Sequence, residues 1–122
     1  ATLNFDYVSL QDLLMFPERH IEYLTAAKTY IAQSGCPSGV EIDLDVISRA
    51  PVSAYNVCGV SFDFALRYVH EMSSLPHCQY LHLAEGAPHQ HQSGADAGKA
   101  EVGQMLSELS YCFIKSLESK PA

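Results

Sequence analysis

The sequence predicts an α/β fold, a largely parallel sheet with flanking helices, and three observations carry the prediction. Short runs rich in β-branched and aromatic residues alternate with segments of helical period. Their order is strand, helix, strand, helix, strand, helix, the signature of parallel βαβ units. Two of the candidate strands end in acids followed by long loops, where open parallel sheets place their ligands.

"TLNFDYVSL" alternates Leu3, Phe5 and Tyr7 with polar neighbours, the period of a short strand. Ser9 with Asp12 then resembles a capping box that opens a brief helical turn. Pro17 suits a first helical turn, and Ile21, Leu24, Ala27 and Ile31 form one buried stripe until Gly35 stops the helix. "CPSG" makes a turn into "VEIDLDVI", a strand with Val40, Ile42 and Leu44 on one face, Asp43 on the other and Asp45 at its end.

Residues 48–60 hold Pro51, Asn56 and Gly59 without apolar period and form a loop well beyond the common length of about 2–6 residues. Ser61 is a good N-cap and Asp63 favours the positive end of the helix dipole. Ala65, Leu66, Val69 and Met72 then give a stripe, and Pro76 marks the exit. "CQYLHLAE" is a second strand ending in an acid, Glu85, followed by the Gly- and Ala-rich loop "GAPHQHQSGADAG". The last helix runs from about Lys99 to Leu117, with Val102, Met105, Leu106, Leu109, Cys112, Phe113 and Leu117 on its packing side.

Composition bounds the function. The 122 residues suit one domain, 1–122, and 48% hydrophobic against 17% charged residues is a globular balance. Seven basic against 14 acidic side chains give a net charge of −7, which repels phosphate backbones and anionic lipid, so neither nucleic acid nor membrane is an expected partner. No apolar stretch approaches the roughly 20 residues that cross a bilayer. Cys36, Cys58, Cys78 and Cys112 form no CxxC pair; reduced thiols in the cytoplasm or another reducing intracellular compartment are expected. The chain begins at Ala1 rather than Met, as a processed or truncated piece would.

Asp43, Asp45 and Glu85 fall at strand ends, where oxygen ligands suit Mg²⁺ or Mn²⁺; the alternative is a solvated acidic strand end. His89 and His91 in a Gly-rich loop are more simply exposed polar sequence, and Cys58 has no base placed beside it by the sequence. Met72 and Met105 lie among Leu and Val on helix stripes and read as core.

"DLDVISRAPVSAYNVCGVSFDFALRYV", Asp43 to Val69, resembles the ureohydrolase motif: a strand ending Asp-x-Asp, a short spacer, an Ala-Pro-Gly-Val-Ser-Ala-like loop, a Gly and a helix. "YLHLAEGAP" is similar to the family's later strand ending in Glu and followed by Pro, and the closing helix also fits. The resemblance to arginase, agmatinase and formimidoylglutamase covers most of residues 1–117, and the loop and "ALRYV" are most similar to formimidoylglutamase-like members.

The resemblance implies the C-terminal part of the arginase-type three-layer fold and of a binuclear manganese hydrolase acting on a guanidino or formimino C–N bond. It implies Asp43 bridging two Mn²⁺ ions, Asp45 binding one of them, and Glu85 and Ser53 contacting substrate, Ser53 otherwise being a turn residue. No catalytic group is assigned, and the fragment alone is expected to be inactive. The implied partners are a small cationic amidino or guanidino substrate and the remainder of a longer chain, with homo-oligomerisation left open.

Several positions depart from the family. Its earlier His and its Asp-x-His-x-Asp triplet have no counterpart among the six histidines. Glu41 and Ile42 replace a Ser or Thr and an aromatic, no Gly follows Pro51, and Gly86-Ala87 replaces Val-Asn. A metal-free arginase-like domain used for assembly or for binding a small cation is the alternative.

Overall fold

A computed structural model describes residues 5–120. Its elements are the helix α1 (Leu10–Met15), a 3₁₀ turn Pro17–Arg19 running into α2 (His20–Ser34), the strand β1 (Ser38–Asp43), a 3₁₀ turn Leu44–Val46, α3 (Phe62–Ser73), β2 (Cys78–Ala84), a 3₁₀ turn Pro88–Gln90, and α4 (Ala95–Glu118). The architecture is α/β: a small parallel two-stranded sheet flanked by helices.

The strands pair in parallel with Val40 opposite Leu81, Ile42 opposite Leu83 and Asp43 opposite Ala84, so the two candidate site strands are neighbours, as the sequence predicts. Val40 and Ile42 point into the core with Leu81 and Leu83 packed beside them, and α3 lies across both strands. The other face of the sheet is exposed. There Gly39 leaves room for the Tyr80 ring, whose hydroxyl donates to Glu41 at 3.1 Å. A parallel sheet is usually covered on both faces; here one aromatic ring covers part of the second.

Local signals explain the helix ends. Ser9 accepts the Asp12 N–H at 3.1 Å and Ser61 accepts the Phe64 N–H at 3.0 Å, the expected N-caps of α1 and α3. Gly35 closes α2 at φ 68°, a conformation that costs glycine little. α4 packs along α3 and onto the 88–90 turn, burying Val102, Met105 and Leu109. Ser116, fully buried in α4, donates to the Cys112 carbonyl at 2.8 Å and pairs with His70 Nδ1 at 3.0 Å, which joins α4 to α3.

Four expectations are corrected. The first expected strand does not form among the described residues: Phe5 to Ser9 carry no regular structure, and Leu3 lies outside them. The described sheet therefore has two strands. Ile21 is 66% exposed, because only Leu24, Ala27 and Ile31 of α2 reach the core. The last helix starts at Ala95 rather than Lys99, since Gly98 belongs to it: a Cβ there would overlap the Pro88 carbonyl, so this glycine allows close packing and is no loop residue. Leu117 is 38% exposed and lies off the packing side of α4.

Candidate functional site

Leu44, only 1% exposed, anchors the end of β1 in the core. Asp43 caps the turn that follows: its Oδ1 accepts the Asp45 N–H at 2.9 Å, the local side-chain to backbone bond that favours Asp before a tight turn. The turn ends the strand's alternation and carries Asp45 toward the 50–54 segment. Asp45 Oδ1 accepts the Ala54 N–H at 3.2 Å, and the Ser53 hydroxyl lies 3.4–3.5 Å from both its oxygens.

Glu85 follows β2 with φ 72°, the left-handed region that a residue with a Cβ avoids at a cost of about 1–2 kcal/mol. Its surroundings hold it there. Ser53 N–H donates to the Glu85 carbonyl at 3.2 Å, Ala87 N–H donates to the Pro51 carbonyl at 2.9 Å, and Val52 bridges Gly86 in antiparallel register. Val52 is fully buried, and Gly86 lies so close to Val102 and Leu44 that a Cβ would sit 3.0 Å from the Val102 Cγ1. This small ribbon brings the Ser53 hydroxyl to Glu85 Oε2 at 2.5 Å. A hydroxyl has one proton to donate; the short contact assigns it to Glu85, and the longer Asp45 distances are secondary.

The structure thus brings three of the four predicted site residues, Asp45, Ser53 and Glu85, into one hydrogen-bonded cluster. Asp43 stands beside them with one oxygen committed to its own turn. Among the described residues no Lys, Arg or His forms an ion pair with these carboxylates, so the cluster presents uncompensated negative charge at the carboxyl ends of adjacent parallel strands. Such a surface attracts cations.

Manganese favours an octahedral shell of oxygen donors. Among the described residues no three His, Cys, Asp or Glu side chains are grouped to hold a metal ion, so the chain's own donors fit only part of such a shell. Asp43 and Asp45 are the carboxylates available for that part.

The loop histidines are placed differently from each other. His89 is exposed, whereas His91 Nε2 lies 2.7 Å from Glu101 Oε2 and His91 Nδ1 accepts the Ser93 N–H at 2.9 Å. Cys58 is exposed in the 48–60 loop and is bonded there through its backbone N–H to Asn56 Oδ1. Two features had no signal in the sequence, the left-handed backbones of Arg49 (φ 61°) and Glu85, because nothing local marks a strained non-glycine position. The His91–Glu101 pair joins residues ten apart, across a loop and a helix, and no short motif announces it.

A scan against protein-family models and searches of curated proteins and of solved structures each found no match to this chain.

Proposed function

We propose that this chain forms the strand-end carboxylate part of a ureohydrolase-type site, in which Glu85 and Ser53 receive the cationic end of a small guanidino or formimino compound. Asp43 and Asp45 contribute oxygen donors toward Mn²⁺, and the remaining ligands come from the rest of a longer chain. When bound, a pair of such ions supplies a nucleophilic water near neutral pH. What this chain's own residues supply is charge and position: Glu85 offers a carboxylate to a planar N–H pair, and Ser53 fixes the orientation of that carboxylate. The part of the family's work assigned to this chain is therefore substrate binding and metal support, without hydrolysis by the isolated chain.

One observation carries the proposal: the Ser53 hydroxyl joins Asp45 and Glu85, 8 and 32 positions away from it in sequence, just past the ends of two adjacent parallel strands. A second reading, a metal-free domain that binds a small cation without turning it over, is favoured by the incomplete ligand set. Both readings require the cluster to bind an amidinium-like cation.

The test is titration of the isotopically labelled chain with n-butylguanidinium, followed by amide chemical shifts. Shifts centred on Ser53, Ala54 and Glu85, with affinity lowered about tenfold in Glu85→Gln, are the expected result. No response at these amides would overturn it. The two readings separate on hydrolysis of formimino and guanidino substrates by the longer manganese-loaded protein.

A further inference from the structure

A cavity of about 500 Å³ is walled by α2 and α3, with the segment Phe5–Val8 as a third wall, and it shares no residue with the strand-end cluster. Two contacts set the register of its helices. The His20 ring at the start of α2 stands edge-on to Phe64 of α3 with centroids 4.7 Å apart, and Lys28 Nζ pairs with Glu71 Oε2 at 3.0 Å. The helices therefore run side by side in one direction, and about 12 Å of α2 between the contacts matches about 10.5 Å of α3. His20 is itself fixed, since its Nε2 donates to the Leu13 carbonyl at 2.6 Å, and Leu13 lines the cavity.

Within that registered stretch α2 offers Ala26 and Ala27 to the cavity, and α3 offers Tyr68. Two alanines fall short of the facing helix, and the contacts at either end keep the helices from closing over the gap. Interiors normally leave few spaces larger than a water molecule, so spacing held in this way is a built feature. Along α3, Phe64, Tyr68 and Met72 follow at intervals of four, which stacks two rings and a thioether into one wall. Asp6 is the one charged residue of the lining, and it is exposed, with Oδ1 accepting the Tyr7 N–H at 2.8 Å. An apolar lining of this kind favours apolar molecules over water.

One polar group interrupts it from within. Tyr68 is half-buried, and burial alone pushes its hydroxyl above the usual tyrosine range, with no hydrogen-bond partner among the described residues. Tyr7 and Tyr30 also line the cavity but are exposed to solvent, and Tyr23 stands beside Arg19. A phenol withdrawn from water normally has a partner, and Tyr68 faces the cavity.

We infer that this cavity binds a neutral, flat bicyclic aromatic molecule carrying one hydrogen-bond acceptor, with its rings between the alanines of α2 and the aromatic wall of α3 and its acceptor on the Tyr68 hydroxyl. The volume lies within the range of about 300–1,000 Å³ that small-molecule sites occupy. Offset stacking on Phe64 and Tyr68 favours a flat ring, and the Met72 side chain adapts to its edge. The site is independent of the carboxylate cluster, and either can fail without the other.

The probes are quinoline and naphthalene, which share a shape; only quinoline has a ring nitrogen that accepts a hydrogen bond, and it is neutral at neutral pH. Titration of the isotopically labelled chain with quinoline should move the methyl resonances of Ala26, Ala27 and Met72 through ring currents, with Kd on the order of 10⁻³ M for a ligand of this size. Tyr68→Phe should weaken quinoline about fivefold, the worth of one hydrogen bond, and leave naphthalene unchanged. Ala27→Leu fills the cavity with a good helix former and should weaken both probes about tenfold or more. Shifts centred elsewhere in the unaltered chain, an equal effect of Tyr68→Phe on the two probes, or undiminished binding to a folded Ala27→Leu chain overturns the site. Should Ala27→Leu fold poorly, the unaltered chain and Tyr68→Phe still decide. Sedimentation completes the test: a dimer of the unaltered chain that quinoline disperses makes this face a contact between copies and overturns the ligand site.

Discussion

Replacing Glu85 by Gly and by Ala separates backbone strain from side-chain chemistry. Both substitutions remove the carboxylate and its 2.5 Å bond from Ser53, so those losses cancel in the comparison. What differs is the cost of φ 72°. A residue with a Cβ in that region costs roughly 1–2 kcal/mol, and the greater freedom of Gly in the unfolded chain returns roughly 0.5–1 kcal/mol. Glu85→Gly should therefore be about 0.5–1 kcal/mol more stable than Glu85→Ala, a difference of about 2–5 °C in Tm for a chain of this size. Urea and thermal unfolding of the two variants measure it. Should Glu85→Ala prove equal to or more stable than Glu85→Gly, Glu85 is not held left-handed, and the ribbon that presses Ser53 against it is not formed as described.

Three further predictions concern the frame around the site. Gly98→Ala drives a methyl into the Pro88 carbonyl and should cost about 3 kcal/mol, read as a lowered urea midpoint. Ser73 is fully buried with no hydrogen-bond partner for its hydroxyl among the described residues, so Ser73→Ala should raise stability by about 1 kcal/mol, and a loss of stability would reveal a partner. Burial beside an apolar cavity of about 500 Å³ pushes the Tyr68 hydroxyl above the usual tyrosine range. The folded-state value exceeds the unfolded one, so this contribution is complete below about pH 10 and is lost as pH rises through the folded value. Tyr68→Phe should flatten the alkaline fall in stability, seen by comparing unfolding at pH 9 and pH 11.

Much of the frame is legible in the sequence because its signals are local. The alternation of Val40 and Ile42, the cap at Ser61 and the stop at Gly35 each depend on residues a turn or less apart, and each appears where expected, whereas the strand ends at Asp43 and leaves Leu44 and Asp45 in the 3₁₀ turn that Asp43 caps. The parallel pairing of β1 and β2 follows from the helix between them. The strand expected around Phe5 is absent among the described residues, since alternation alone does not supply a partner strand.

At the site, residue type and strand-end position make Asp43, Asp45 and Glu85 visible, whereas the way they meet is a tertiary matter. Ser53 is the hub only because buried Val52 pairs with Gly86, and the core packing that enforces this has no counterpart in a short motif. The left-handed backbone of Arg49 is tertiary in the same way: its N–H bonds the Asn56 carbonyl, and in sequence it reads as an ordinary loop cation.

The most direct test of the account is paramagnetic broadening of amide resonances on titration with Mn²⁺. Partial oxygen ligation should give weak binding, with Kd on the order of 10⁻⁴–10⁻³ M. Broadening should be centred on Asp43, Asp45, Ser53 and Glu85 and be strongly reduced in Asp43→Ala and Asp45→Ala. Broadening centred elsewhere, or unchanged in both variants, would contradict the claim that these strand ends form the metal-supporting face of the site.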